Sequence, residues 1–230
     1  MAISESDFKA KAQELKLKTA KADAKVDAKS DKKLPSQETG KQKVQMIGLK
    51  AKTIKVKIVG DTPLLMNKFS DRSKEKILNK QTQKSSVRGA RDTKMEVEQA
   101  IHRMPSGKIG FPASAFKKAS VECAPYFPDL DKKLVKGAIH VIGGGNNLVE
   151  IKFKKQVVNE TNVKIAMGRS AEIRFRPEFQ DWSCELFIRY NENLISAEQI
   201  INLLNYAGFQ IGVGDWNPQH SGTFGMFHVA

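Results

Sequence analysis

The chain is 230 residues long, enough for one sizeable domain with a tail or an insertion, and its 39 Lys and Arg against 25 Asp and Glu give a formal net charge of +14. A positive surplus of that size is most readily tolerated beside a polyanion that screens it, so nucleic acid is the first partner to consider. No run approaches the roughly 18 apolar residues of a membrane span, and the N-terminus has no apolar signal core. The two cysteines, Cys123 and Cys184, stand singly in apolar patterns, which excludes a cysteine metal motif and points to reduced thiols in a cytoplasmic protein.

Residues 1–46 mix Lys and Ala with scattered Asp and carry almost no large apolar side chain beyond Phe8 and Leu15. Such a segment buries too little surface to offset the cost of ordering it and reads as a flexible arm, either a tether on phosphates or a solvated tail. The domain then occupies 47–230. Thr53-Ile54-Lys55-Val56-Lys57-Ile58 alternates with period two, the pattern of a half-buried strand, and Gly60-Asp61-Thr62-Pro63 breaks it. Ser70 caps a polar helix running through Ile77 and Leu78.

The stretch from about 68 to 105 reads as an insertion, basic and helical, with a polar centre over 82–93. Arg88, Arg91, Lys94 and Arg103 lie near a helical run in which Val97, Ala100, Ile101 and Met104 share one face. An insertion of this kind either closes over a strand of nucleic acid or is simply solvated. After the turn at Pro105–Phe111, Pro112 opens a helix with Ala113, Phe116, Ala119 or Ser120, and Cys123 on one face and Lys117 and Lys118 off it. Gly137–Ile142 and Leu148–Phe153, joined by Gly143-Gly144-Gly145-Asn146-Asn147, read as a β-hairpin. That glycine run lacks the G-K-[ST] of a phosphate cradle.

In Met167-Gly168-Arg169-Ser170-Ala171-Glu172-Ile173-Arg174-Phe175-Arg176, strand alternation sends Ile173 and Phe175 inward and aligns Arg174 with Arg176 on the other side, a row suited to phosphate oxygens and to base faces. The following run, Trp182 to Tyr190, reads as its partner strand. Phe187 falls on the polar phase of that run, where it is either a stacking platform or covered by the insertion. Ser196 and Gln199 spell a capping box, Ile200, Leu203, Leu204 and Ala207 an amphipathic face, and Gly208 a C-cap. A loop follows with glycines at Gly212, Gly214, Gly222 and Gly225, closing on Phe224, Phe227 and Val229 as a last strand. Glycines at this spacing let another chain approach the backbone amides closely. Between them Trp216 either stacks on a base or packs against the helix.

A helix feeding a G-x-G-x(7)-G-x-x-G loop and a final strand, with VGDTPLLMNKF and MGRSAEIRFRPEF upstream, resembles the repeat-associated, RRM-like superfamily of CRISPR effector backbone subunits, and similar phage proteins. The resemblance implies a loop that contacts RNA and subunits that line up head to tail on the strand. One departure is the insert Asp215-Trp216-Asn217-Pro218-Gln219-His220-Ser221, where many of those loops carry Arg or Lys. Some members cleave RNA with a single His or Asp, which singles out His220 and Asp61 here.

The residues themselves offer little catalytic chemistry. The four histidines lie in separate contexts without ligand spacing, and no nucleophile elbow or Cys/His/Asp set is present. The expectation is an α+β, RRM or ferredoxin-like domain, an antiparallel sheet with helices on one face, that holds single-stranded RNA or DNA without catalysis, without cofactor or metal and away from membranes. The candidate contacts are Arg88, Arg91, Lys94, Arg103, Lys117, Lys118, Arg169, Arg174, Arg176, Gly212, Gly214, Trp216, Gly222, Phe224 and Gly225. Alternatives are a phage-encoded protein acting on a host or phage protein complex, and an endoribonuclease.

Overall fold

The computed structural model describes residues 48–69, 71–82, 92–165 and 170–230. The arm expected over 1–46, the cap Ser70, and Arg88, Arg91 and Arg169 therefore lie outside the described residues.

The alternating run near the start forms β1 (Ala51–Gly60), which pairs antiparallel with β8 (Ser183–Asn191) in a register that sets Ile54 opposite Ile188, Val56 opposite Leu186 and Ile58 opposite Cys184. On its other side β1 takes β9 (Phe227–Val229), again antiparallel. The far side of β8 is filled by β4 (Ile139–Ile142) and β5 (Leu148–Lys152), and β3 (Gly110–Pro112) flanks β5. With the helices α3 (Ala113–Cys123) and α5 (Ala197–Gln210) between strands, this is the split β-α-β order of a ferredoxin or RRM-like domain, α+β as expected.

Period-two burial explains why the sheet has two unlike faces. Cys184, Leu186, Ile188 and Tyr190 of β8 and Val56 and Ile58 of β1 are buried beneath the helices. Their neighbours Lys55, Lys57, Glu185, Phe187 and Arg189 point away and are exposed. The helical side is sealed by α3 through Ala113, Phe116, Ala119 and Cys123 and by α5 through Ile200, Leu203, Leu204 and Ala207. A chain of edge-on rings, Phe111 to Phe116 at 5.9 Å, Phe116 to Phe227 at 5.6 Å and Phe227 to Trp182 at 6.4 Å, ties β3, α3, β9 and the start of β8 together. Each such buried ring contributes about 1.5–3 kcal/mol from area alone.

Helix α5 opens on the expected capping box, Gln199 N–H donating to Ser196 Oγ at 3.2 Å and Ser196 N–H to Gln199 Oε1 at 2.9 Å. It does not stop at Gly208. The helix continues to Gln210, and Gly208 is instead the point where α5 crosses β9: a Cβ there would lie 1.8 Å from the Phe227 carbonyl oxygen. Backbone contact, not helix termination, is what requires glycine at this position.

Three further expectations are corrected. The helical face through Met104 is cut short, because α2 (Thr93–Gln99), capped by Asp92, ends before Ala100 and Ile101, which are buried from a non-helical chain entering a turn at Met104–Lys108. Met104 precedes Pro105, which disfavours continuing the helix. Residues 132–138, whose last two were read as the start of a strand, form the short helix α4 (Lys132–Ala138). Nor are β4 and β5 a hairpin. Both run along the same side of β8, Ile142 opposite Phe187 and Ile151 opposite Cys184, while 143–150 leave that ladder between them. Apolar residues in both segments face one core, and the glycine and asparagine run, with Asn146 and Asn147 at positive φ, supplies the excursion.

The arginine-bearing strand also pairs differently. β7 (Ser170–Gln180) forms a long hairpin with β6 (Lys155–Ile165), not with β8, and β2 (Leu64–Leu65) adds a third strand to make a separate sheet. Its base is buried at Pro177–Phe179, but further along Ile173 is 44% exposed, so the inward face expected for Ile173 and Phe175 is not a core face. The insertion contributes α2, which packs on β7, and α1 (Asp71–Gln81), whose Ile77 and Leu78 are exposed.

Two glycine substitutions test this packing. Gly225 has φ +69 and a Cβ there would stand 1.7 Å from the Val213 oxygen, so Gly225→Ala is expected to destabilise by about 2–4 kcal/mol. Gly137, in α4 with open space around its missing Cβ, is expected to gain about 0.5–1 kcal/mol as Gly137→Ala. Urea denaturation midpoints at constant m-value measure both.

Candidate nucleic-acid interface

The glycine-rich loop spends its backbone donors inside the molecule. Gly225 N–H donates to Pro63 O at 2.8 Å, Asp215 N–H to Leu65 O at 3.0 Å, Val213 N–H to Gly225 O at 2.9 Å and Gly222 N–H to Asn217 O at 3.0 Å. Gly212 N–H, at φ +66, donates to Ala207 O at 2.8 Å and closes α5. The loop is thus a clasp on the Thr62–Met66 segment, reinforced by Met226 N–H to Thr62 Oγ1 at 2.9 Å and by Trp182 Nε1–H to Thr62 O at 2.8 Å. A Cβ on Gly214 would come 2.5 Å from Leu65 O, so its closeness too is to the protein's own chain. Phe224 is half-buried, its N–H on the Trp216 carbonyl at 3.1 Å, and the Trp216 ring stays 41% exposed on the outer side.

The arginine row is held by acids. Arg176 Nε meets Asp215 Oδ2 at 3.3 Å with 18% of its side chain exposed, and Asn67 Nδ2 donates to the same oxygen at 3.1 Å, so this cation fastens the β6–β7 hairpin to the glycine loop. Arg174 Nε meets Glu172 Oε2 at 3.2 Å on the exposed part of the hairpin. Arg103 pairs with Glu98 and also donates to Gly107 O. Lys94 is exposed on α2, and Lys117 and Lys118 lie on the outer side of α3. These candidates stand on α2, in the chain after it and on α3, whereas the arginine row stands on β7.

What does converge is the face of the main sheet turned away from the helices. Phe187, at the centre of β8 and 46% exposed, has Lys55 directly opposite on β1, with Lys55 Nζ 5.9 Å from the ring centroid. Lys55 also meets Glu185 Oε2 at 3.0 Å, and its hydrogen bond, together with the charges of Lys55, Lys152 and Lys57, holds the Glu185 carboxyl below its usual range. Three ammonium groups therefore surround one acid. Phe187, Ile142, Lys57 and Lys152 line a hollow of about 490 Å³ together with Glu150 and Glu185, and toward the β4 edge a second, mostly apolar hollow of about 450 Å³ is lined by His140, Arg189, Leu49 and the same Ile142. Sequence reasoning flagged Phe187 as out of phase but left out Lys55, Lys57, Lys152 and Arg189. Their signal was present in the polar phase of two strands and became visible only once β1 was known to pair with β8.

Chemistry elsewhere is sparse. Among the described residues no group of three or more His, Cys, Asp or Glu side chains could hold a metal ion, and no helix is long and apolar enough to cross a membrane. Both thiols are free and buried, and burial pushes Cys123 up to about 11 and Cys184 up to about 12. Asp61 Oδ1 lies 2.6 Å from His228 Nδ1 at the exposed end of β1 and β9, whereas His220 sits apart in the short 3-10 turn Pro218–His220.

No protein-family model matches the chain, and no curated protein does. Among solved structures it is similar to the crystal structure of Cmr6 from Pyrococcus furiosus, with a TM-score of 0.39 and 10% identity over 80% of this chain and 100% of that one.

Two outcomes follow from this geometry. Arg176→Ala leaves Asp215 without its cation and is expected to cost about 1–3 kcal/mol in denaturant unfolding, whereas Arg174→Ala, an exposed pair, should stay within about 1 kcal/mol. Both cysteines should resist Ellman's reagent in the native protein at pH 8 and react together once guanidinium unfolds it, because the thiolate is the reactive form.

Proposed function

We propose that this protein is a non-catalytic binder of single-stranded nucleic acid that lays the strand across the open face of its main sheet. The observation that carries this reading is Phe187, an apolar ring exposed at the centre of β8 on the face the helices leave bare, with Lys55 over the ring and Lys57 and Lys152 lining the same hollow beside Glu150 and Glu185. An exposed ring on a solvated strand is costly unless something covers it, and a base face is a matching cover. Stacking of one base on an aromatic side chain contributes about 1–3 kcal/mol and is tolerant of base identity. Ammonium groups neutralise phosphates as point charges, which adds affinity without sequence preference. A base locked in a duplex has no free face to offer, so the strand is single. The formal net charge of +14 supports the same partner class. Head-to-tail self-association on the strand is part of this proposal.

A second reading, cleavage of RNA, is favoured by the Asp61–His228 contact, a carboxylate oriented on an imidazole at an exposed strand end. One experiment addresses both. Fluorescence anisotropy with oligo(U) and oligo(dT) across a salt series should give a log Kd that rises steeply with log salt. Phe187→Ala should weaken binding about 5- to 100-fold, the equivalent of one lost stack. Lys57→Gln with Lys152→Gln should lower the magnitude of the salt slope by about 1.4, two single-strand phosphate contacts. Unchanged affinity in Phe187→Ala would overturn the sheet-face reading. The RNA recovered from the same samples is run on a denaturing gel, where shortening that vanishes in Asp61→Asn would establish the second reading and intact RNA would remove it.

A further inference from the structure

On the opposite side of the domain a groove of about 400 Å³ runs between α3 and α4, lined by Lys117, Lys118, Lys132, Lys133, Lys136 and Glu122. Five ammonium groups thus face one carboxylate, and that carboxylate is engaged, with Lys132 Nζ on Glu122 Oε2 at 2.6 Å. The hydrogen bond from Lys132, and the charges of Lys132, Lys118 and Lys136, keep Glu122 ionised below its usual range. Mutual repulsion among the remaining lysines works against folding unless an anion occupies the groove. Lysine rather than arginine lines it, so the fit is to phosphate charge and not to the planar, bidentate geometry of a particular base or carboxylate.

The groove is not isolated from the sheet face. Among the described strands nothing pairs with the outer side of β4, which therefore forms an open edge. Around that edge Lys117 Nζ reaches His140 Nδ1 at 3.3 Å, and His140 lies opposite Arg189 in the β4–β8 register. His140 and Arg189 line the hollow that shares Ile142 with the hollow beside Phe187. Arg189, His140 and Lys117 therefore mark a path over the β4 edge into the lysine groove, and between the two hollows of the sheet face that path crosses the exposed apolar side chain of Ile142.

We infer that the α3–α4 groove takes the phosphates of the same strand beyond the sheet, so that a long single strand wraps the β4 edge and is held on both sides of the domain. This rests on the sheet-face reading above, and its consequence is a footprint with two parts of different character, one that stacks a base and one that grips only the backbone.

Oligonucleotide length separates the two parts. Oligo(U) and oligo(dT) of about 6 and about 16 nucleotides bracket a short and an extended site. The 16-mer should bind the wild type at least about tenfold more tightly than the 6-mer, and the triple change Lys132→Gln, Lys133→Gln, Lys136→Gln should remove most of that gain and lower the 16-mer salt slope by about 2, three backbone contacts. The 6-mer, which spans the sheet alone, is the reference. In the unaltered protein, acetylation of lysines read by mass spectrometry should be blocked at Lys132, Lys133 and Lys136 by the 16-mer and not by the 6-mer, a readout independent of whether the triple variant folds. Equal affinity for both lengths, or unchanged acetylation of these lysines under the 16-mer, overturns the wrapped path. Failure of the 6-mer to bind, or its indifference to Phe187→Ala, overturns the sheet-face reading instead.

Discussion

The contact on which the architecture depends is backbone against backbone, where the loop after α5 lies on the Thr62–Met66 segment. Gly225 N–H on Pro63 O, Asp215 N–H on Leu65 O and Asp61 N–H on Met226 O bring two remote stretches to main-chain distance. A side chain on Gly214 would stand against Leu65 O and prevent the approach. With the clasp shut, β9 arrives beside β1 and the last strand of the main sheet is in place. With the clasp shut, too, Arg176 meets Asp215 and the β6–β7 hairpin is anchored to the body of the domain. One local constraint thus sets the edge of one sheet and the attachment of the other.

That arrangement divides the labour of the charged residues. Arg176, which looks from the residue pattern like a group waiting for a ligand, is an internal fastener held on Asp215. The cations left to face outward are mostly lysines, on the bare side of the sheet and between α3 and α4. The sheet face combines them with an aromatic ring, whereas the groove has none. An exposed Trp216 ring near the clasp adds an aromatic outside both.

Much of the framework was legible in the residues because it is written in local periodicity. The alternation in β1 and β8, the apolar face of α3 and the capping box of α5 are all local signals, and all correspond to observed elements. Pairing is not local. Nothing in Leu148–Lys152 states that it continues along β8 rather than folding back on β4, since both arrangements satisfy the same alternation. The pairing of β7 with β6 instead of β8 was equally hidden, because the polar, mixed sequence of β6 carries little strand signal. Gly208 shows the same limit: a glycine after an apolar helical face fits a C-cap and a helix crossing equally well, and only the position of Phe227 distinguishes them. Lys55, Lys57, Lys152 and Arg189 come from three strands, so their shared face existed only after the register was known.

The loop of residues 143–147, between β4 and the part of β5 that pairs with β3, bears on how this domain could diversify. A segment that leaves a ladder and rejoins the same neighbour can lengthen, shorten or change composition without sliding any residue of β4 or β5 past β8. Because Gly144 also lines the hollow beside Phe187, the height of that wall is decoupled from the β4–β8 and β5–β8 register. A longer or shorter loop here would change the depth of that trough while leaving the strands beneath it in place.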